Sequence, residues 1–307
     1  MIVQLMVPKI ISLFLMIFLG FLLVKKKILN ASDSRVLSIL GVYLIMPCMI
    51  LSAFDMDYTD ELKDGLLLAF LTAFLINIAY VFMISLCSRI FHFSAVEKLS
   101  IIYPNCGNFT VPLVAAIIGN EWVIYGIANV IVQHFFVWSY GISVIRGEKH
   151  INLKKVVTNT SIIAFMIGAV LFFFHIPMPS VAADLIGTLS GMMGPYAMLT
   201  VGMLLAGMNL KDMLRNPRLC LVSAFRLLVF PLMTLAMLKY TGLASLAEKG
   251  ENILLIVLLA ASAPAASVVT SLSLVYDCDA AYAGVINVVT TLLCIVTMPV
   301  IAVLYQI

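Results

Sequence analysis

The residues best suited to chemistry lie together at residues 104–112, which read Pro-Asn-Cys-Gly-Asn-Phe-Thr-Val-Pro. The carboxamides of Asn105 and Asn108 and the hydroxyl of Thr110 are neutral groups that hydrogen-bond polar ligands. The two prolines disrupt a helix, because each lacks a backbone donor and clashes with the preceding turn, and Gly107 weakens it further. The stretch therefore predicts an unwound segment that presents amide and backbone groups to a small polar ligand.

This stretch lies in the middle of an apolar segment long enough to cross a bilayer. Hydrocarbon offers no partner to the carbonyls that a proline frees, so a broken spanning helix must line a cavity. In transporters, such breaks form the binding site. A second break is predicted at residues 262–267, Ser-Ala-Pro-Ala-Ala-Ser, whose small side chains let another backbone approach closely. The alternative there is a proline kink packed against a neighbouring helix.

The composition predicts an all-α integral membrane protein. The 307 residues are 63% hydrophobic and 11% charged, whereas a soluble domain is about 45–50% apolar and about 25% charged. The net charge of +3 is spread over short loops without a basic, aromatic face, so no nucleic acid partner is predicted. The six cysteines have neither C-x-x-C nor zinc-type spacing, and we expect no metal site and no cofactor.

Hydropathy and helix breakers predict ten membrane spans, at residues 5–24, 35–54, 65–87, 99–118, 123–145, 156–174, 181–208, 219–238, 253–274 and 281–305. The first is expected to be a retained helix and not a cleaved signal peptide. Alternate loops carry most of the lysines and arginines, including Lys25-Lys26-Lys27, and the opposite side carries the acidic stretch 55–64. We expect a cell membrane protein, in the inner or plasma membrane. The positive-inside rule predicts that the basic loops are cytoplasmic and that both termini are extracytoplasmic.

The two halves of the chain echo each other. Pro47 in span 2 has a counterpart in Pro195 of span 7, and Pro112 in span 4 has one in Pro264 of span 9. These spacings are close to half the chain, which predicts two five-helix repeats, residues 1–150 and 151–307. Because five is odd, the second repeat must be inverted, so that spans 4 and 9 are antiparallel and cross at their breaks.

Crossing broken helices bring two helix N-termini together, each with about half a positive charge, and predict an anion site. No Asp or Glu lies deep in a span, which favours an organic anion over a cation as substrate. The predicted substrate-binding residues are Asn105, Gly107, Asn108, Thr110, Pro112, Ser262, Pro264 and Ser267.

Two ionisable residues lie inside spans, His134 in span 5 and Arg226 in span 8. Histidine titrates near neutral pH, which makes His134 the proton-coupling candidate; the alternative is a neutral ring bonded to a carbonyl. Arg226 is a candidate for attracting the anion; the alternative is a side chain that snorkels or caps helix carbonyls on the cytoplasmic side. Gln133 and Asn287, in the paired spans 5 and 10, are further candidates for coupling or gating, with helix tying as the alternative.

These motifs together resemble the auxin efflux carrier family, whose bacterial members include permeases for malonate and malate. The residues that carry the resemblance are Asn105, Gly107, Pro112 and Leu113 in span 4, Ala263-Pro264 with Tyr276 in span 9, Arg226-Leu227-Leu228 before Pro231, and Pro299. The family often has glycine where Thr110 stands, so the local shape is expected to differ. Only residues 146–155 join the halves, which favours a bacterial-type permease over an auxin exporter.

The resemblance implies a ten-helix inverted repeat related to the bile acid:sodium symporters, with scaffold and transport parts each drawn from both repeats. It implies substrate at the crossing, with Asn105 as the carboxylate contact. The resulting hypothesis is a secondary transporter that moves a mono- or dicarboxylate by alternating access, with a proton or sodium as coupling ion. The alternatives are a sodium-coupled symporter of a bile-acid-like anion, a membrane enzyme and a sensor; a homodimer is also compatible with the resemblance.

Overall fold

The computed structural model describes residues 2–56, 59–147, 158–207 and 216–307, and these residues are predominantly helical. In chain order the helices are α1 (Ile2–Lys25), α2 (Ala31–Ala53), α3 (Asp60–Phe91), α4 (Ala95–Ile102), α5 (Cys106–Ile117), α6 (Asn120–Arg146), α7 (Thr160–Phe173), α8 (Ser180–Ala206), α9 (Pro217–Tyr240), α10 (Gly250–Ala261), α11 (Ser267–Val275) and α12 (Ala280–Gln306). Within the described residues, extended pairing is confined to one antiparallel bridge between Pro104 and Ala265.

The helices follow the predicted spans to within a few residues. Spans 4 and 9 are each split in two, into α4 and α5 and into α10 and α11, as the breaks predicted. Six helices are long and apolar enough to cross a membrane, namely α2, α3, α6, α8, α9 and α12, and shorter apolar helices accompany them. The predicted repeat boundary at residue 150, the first residues of span 6 and the basic residues Lys149, Lys154, Lys155, Lys211 and Arg215 lie outside the described residues.

Three of the spans contain a widened, π-helical turn just before a proline. These turns are Gly41–Ile45 before Pro47, Cys106–Thr110 before Pro112 and Phe225–Val229 before Pro231. A proline has no N–H to donate to the carbonyl four residues earlier, and its ring pushes that carbonyl away, so the preceding turn widens. A fourth wide turn, Val137–Gly141, has no proline after it, so the prolines account for three of these turns and not for the fourth.

The helices pack as two groups. In the four-helix group, which contains α1, α2, α7 and α8, α1 lies along α8 and α2 contacts α7 and α8. In the crossing group, which contains α3–α6 and α9–α12, α3 contacts α6 and α10, and α12 contacts α9, α10 and α11. Each group therefore combines helices from the first and the second half of the chain.

Glycines permit the closest helix contact of the four-helix group, between α1 and α8. A Cβ atom added to Gly20 would overlap the carbonyl of Leu199, and one added to Gly202 would overlap the carbonyl of Ile17. Backbone-to-backbone contact of this kind is the usual use of small residues in membrane helices, because it increases van der Waals packing without a hydrophobic driving force.

Candidate functional site

The two helix breaks are joined backbone to backbone. The Asn105 N–H donates to the Pro264 carbonyl at 2.7 Å, and the Ala266 N–H donates to the Tyr103 carbonyl at 2.9 Å. These bonds flank the antiparallel bridge between Pro104 and Ala265. Each unwound segment therefore satisfies backbone groups of the other, which is what allows both to lie in the middle of apolar spans.

Amide side chains from α6 and α12 hold the centre of each break. The Gln133 Nε2 donates to the Pro104 carbonyl at 2.7 Å, and the Asn287 Nδ2 donates to the Ala265 carbonyl. Both amides are buried. The predicted candidates Gln133 and Asn287 thus lie at equivalent places in the two halves, each as a partner for a break carbonyl that would otherwise be buried without one.

Two helix N-termini meet at the crossing, those of α5 and α11. The first intrahelical bond of α5 runs from the Phe109 N–H to the Asn105 carbonyl at 3.0 Å, so three N–H groups precede it. The Asn108 Nδ2 donates to the Ser267 Oγ at 3.2 Å and links the two first turns. The positive ends of two helices are therefore adjacent.

The carboxamide of Asn105 lies at this meeting point and has no hydrogen-bond partner within the described residues, although the residue is only 8% exposed. Asn129 and Asn77 are buried to a similar degree, and their Nδ2 atoms donate to carbonyls of their own helices, those of Tyr125 and Ala73. Neither the Oδ1 nor the Nδ2 of Asn105 is among the fully enclosed side-chain atoms that lack a partner, so both atoms remain accessible to a ligand or to water. Asn105 is therefore the crossing amide that is available to a ligand.

The first break also faces the four-helix group. The Tyr196 hydroxyl in α8 donates to the Asn108 Oδ1 at 3.1 Å. A Cβ atom on Gly107 would lie 2.9 Å from the Met46 Cε, and one on Gly194 would lie 3.2 Å from the Pro112 Cβ. Tyr196 was not predicted from the sequence; its position next to Pro195, the predicted counterpart of Pro47, is the signal that could have identified it.

The remaining predicted binding residues do not all lie where we expected them relative to the crossing. The Thr110 hydroxyl donates to the Leu259 carbonyl at 3.4 Å, and the Ser262 hydroxyl donates to the Leu258 carbonyl at 2.7 Å; both residues are fully buried. We expected Pro112 and Pro264 to mark the crossing. Pro264 does lie at the crossing, where its carbonyl accepts the Asn105 N–H. Pro112 lies inside α5, beyond the wide turn 106–110, and Pro104 occupies the bridge in its place.

A comparison with protein families identifies the kind of protein that this crossing serves. The family model described as membrane transport protein matches the chain twice, over residues 5–157 and over residues 149–302. The chain is a member of the auxin efflux carrier family. It is therefore a multi-pass membrane transport protein, and the resemblance inferred from the break motifs is confirmed. No curated protein matches the chain in sequence.

In this transporter, Arg226 lies beside the breaks and is fully buried. Its Nη1 donates to the Ile101 and Ile102 carbonyls at 2.7 and 3.2 Å, and its Nη2 donates to the Ala261 carbonyl. The guanidinium also lies 5.9 Å from the centre of the Tyr80 ring. Arg226 thus binds the carbonyl ends of α4 and α10, the two half-helices that end at the crossing, and it does not snorkel.

His134 is the predicted candidate that the structure does not join to the crossing. It is partly buried, and its Nδ1 is inaccessible and has no hydrogen-bond partner within the described residues. The described residues also contain no group of three or more His, Cys, Asp or Glu side chains that could hold a metal ion. The polar groups of the described crossing are amides, hydroxyls, backbone groups, the Arg226 guanidinium and two thiols. The Cys106 thiol donates to the Gln133 Oε1 at 2.8 Å, and the Cys294 thiol donates to the Ser262 carbonyl at 3.5 Å.

Proposed function

We propose that this transporter moves a small organic anion, a mono- or dicarboxylate such as malonate or malate, which binds at the crossing. The observation that carries the proposal is the unpartnered Asn105 carboxamide beside the N-termini of α5 and α11. The Asn105 Nδ2 and the first N–H groups of α5 and α11 supply donors to one carboxylate. Oxyanions are the ligands that such helix N-termini bind.

The charge at the crossing favours an anion. The ends of α4 and α10 contribute about −1 together, the starts of α5 and α11 about +1, and Arg226 a full +1, which sums to about +1. Within the described residues, no ion pair or hydrogen bond joins an Asp or Glu side chain to the breaks or to Arg226. A monocarboxylate would neutralise this sum, and the second carboxylate of a dicarboxylate would need a further donor.

The two helix groups suggest how bound substrate would reach each side. In the proposal, the ten spans form two inverted repeats, residues 1–150 and 151–307, with the basic loops cytoplasmic and both termini outside. The crossing group rocks against the four-helix group and exposes the site alternately. The bond between Tyr196 and Asn108 joins the groups in the arrangement seen here and must break during the movement.

The test is the thermal unfolding of the purified protein with malonate, malate, acetate and a neutral diamide of malonate. A ligand that binds only the folded protein raises the melting temperature. We expect carboxylates to raise it and the diamide not to. A hydrogen bond to a charged group contributes about 1.5–3 kcal/mol, so Asn105→Ala should weaken carboxylate binding roughly 10- to 100-fold.

Asn129→Ala is the matched control, because it removes an equally buried carboxamide that is bonded within its own helix. It should leave the ligand-induced shift unchanged. Uptake of the same carboxylates into proteoliposomes should follow binding. A normal shift and normal uptake in Asn105→Ala, or no shift with any carboxylate in the parent protein, would contradict the proposal.

A further inference from the structure

Arg226 is a fully buried charge without a carboxylate partner among the described residues. Burial of an unpaired charge is strongly unfavourable unless other groups compensate for it. Here the compensation comes from three backbone carbonyls, those of Ile101, Ile102 and Ala261, and from the face of the Tyr80 ring. The guanidinium is therefore stabilised by helix ends and not by an acid, while its Nε is buried without a hydrogen-bond partner among the described residues.

Some carbonyls at the ends of α4 and α10 lack backbone hydrogen-bond partners. The Leu258, Leu259 and Ala260 carbonyls accept N–H groups of the turn that ends α10. The carbonyls of Ile101, Ile102 and Ala261 accept no backbone N–H within the described residues, because both helices stop at the crossing. Each end carries about −0.5 charge, so the two together balance one monovalent cation. Unwound carbonyls and half-helix C-termini are the groups with which broken-helix transporters coordinate sodium. In this chain the Arg226 guanidinium occupies that position.

We propose that Arg226 is a tethered cation that takes the place of a co-bound monovalent metal ion, so that the crossing binds its anion without Na⁺ or K⁺. The part of this inference that concerns anion binding rests on the proposed function. The part that concerns the crossing itself rests only on the contacts of Arg226. The guanidinium is a permanent charge, since it stays protonated at any physiological pH.

Removal of the guanidinium distinguishes a tethered cation from a purely structural Arg226. Without this group, the sum of charges at the crossing falls from about +1 to about 0. Two carbonyl ends are then left without a cation, and a small cation from solution can stabilise them. A structural role alone predicts a weaker protein with no new dependence on salt.

The experiment compares the parent protein, Arg226→Met and Arg226→Lys in NaCl, KCl and choline chloride of equal ionic strength. The first readout is the melting temperature without any carboxylate, and the second is the affinity for malonate. For the parent protein and for Arg226→Lys we expect no saturable effect of Na⁺ or K⁺ on either readout. For Arg226→Met we expect about tenfold weaker malonate binding in choline, and a saturable rise of both readouts with Na⁺ or K⁺.

A second measurement uses the cavity that a smaller side chain leaves. In Arg226→Ala, millimolar guanidinium or ethylguanidinium should raise the melting temperature, whereas choline should not, and the parent protein should not respond to either. This rescue identifies the missing group as a cation of the right shape, which a general loss of packing would not do.

The failures of the two proposals are distinguishable. If malonate binds to the parent protein only with sodium, the tethered-cation inference is overturned and the anion site stands. If no carboxylate binds in any salt, the anion site fails, while the melting temperatures still test Arg226. A saturable sodium effect on the melting temperature of the parent protein, or an Arg226→Met protein that behaves like the parent in every salt, overturns the inference. The parent protein's salt series gives this answer even if the Met variant does not fold.

Discussion

The break of the first half and the break of the second half share one backbone arrangement but differ in side-chain chemistry. The Asn105 N–H bonds to the Pro264 carbonyl just as the Ala266 N–H bonds to the Tyr103 carbonyl, so Asn105 and Ala266 occupy corresponding positions. The first break places a carboxamide there, and the second places a methyl group. The helix interruption is thus a property of both halves, whereas the carboxamide side chains, those of Asn105 and Asn108, lie on the first break alone.

The central residues of the two breaks explain a second difference. Ala265 has an N–H, which the Thr290 hydroxyl accepts at 3.0 Å, and a carbonyl, which Asn287 binds. Pro104 has no N–H, so its carbonyl bond to Gln133 satisfies all of its polar backbone. A proline at this place removes the need for the buried acceptor that Thr290 supplies at the second break.

The largest effects on stability are expected where a side chain holds a break carbonyl. Gln133→Ala and Asn287→Ala each leave a buried carbonyl without its partner, which costs about 1–3 kcal/mol. The free energy of unfolding, measured by denaturant titration in detergent, should fall by a similar amount in both variants. Asn77→Ala is the control, since its amide donates within α3 to Ala73 and holds no break. A large loss in only one of the two variants would show that the breaks are not equivalently supported.

The half-helices that lead into the breaks are also anchored differently. At the start of α4, the Glu97 carboxylate accepts hydrogen bonds from the Arg218 Nε at 2.7 Å and Nη2 at 2.9 Å. It also accepts one from the Tyr282 hydroxyl at 3.3 Å, and its side chain is 3% exposed. At the start of α10, the Lys249 Nζ lies 2.7 Å from the Glu61 Oε1, and the two side chains are 53% and 39% exposed. The Glu97 carboxylate is buried, whereas the Arg218 side chain is 36% exposed. A bidentate pair with a buried carboxylate contributes more than an exposed, single-bond pair.

We therefore expect the next largest effect from Glu97→Gln, with a loss of about 1–2 kcal/mol in unfolding free energy, since charge-assisted bonds are replaced by neutral ones. Glu61→Gln should cost less than about 1 kcal/mol, and added salt should reduce that cost further. Unfolding curves at low and high salt provide the comparison. Equal losses in the two variants would mean that the starts of α4 and α10 are anchored equally strongly.

Several of these features could be predicted from the sequence because they depend on local signals. Prolines inside apolar segments marked both breaks, with amides at the first and small residues at the second, and span lengths followed from hydropathy. The bond of Asn108 to Tyr196 could not be predicted, since it joins residues far apart in the chain and depends on how two helix groups pack. For Arg226 the residue type indicated a buried charge, but only the fold shows that the carbonyls it binds end two different half-helices.

A smaller effect is expected from Tyr196→Phe, which removes the hydrogen bond between the four-helix group and the first break. One such bond contributes about 1 kcal/mol, or about fivefold in the balance between arrangements. Carboxylate exchange across proteoliposome membranes should change by up to about fivefold, with little change in unfolding free energy. Tyr305→Phe is the control, because its hydroxyl bonds to the Glu251 carbonyl inside the crossing group and away from the breaks. It should lower stability without altering exchange, and the reverse pattern would contradict a hinge between the groups.

The smallest effect is expected at the second break, from Ser262→Ala. The Ser262 hydroxyl donates to the Leu258 carbonyl, which also accepts the Ser262 N–H at 2.8 Å, so that carbonyl keeps a partner after the substitution. We expect a change of less than about 0.5 kcal/mol in unfolding free energy and less than about twofold in malonate affinity.

Ser267→Ala is the informative counterpart, since it removes the acceptor of the Asn108 amide and should weaken malonate binding a few-fold. If Ser262→Ala weakens binding as much as Ser267→Ala does, the second break contributes ligand chemistry from within its own unwound segment, and the one-sided division between the two breaks is wrong.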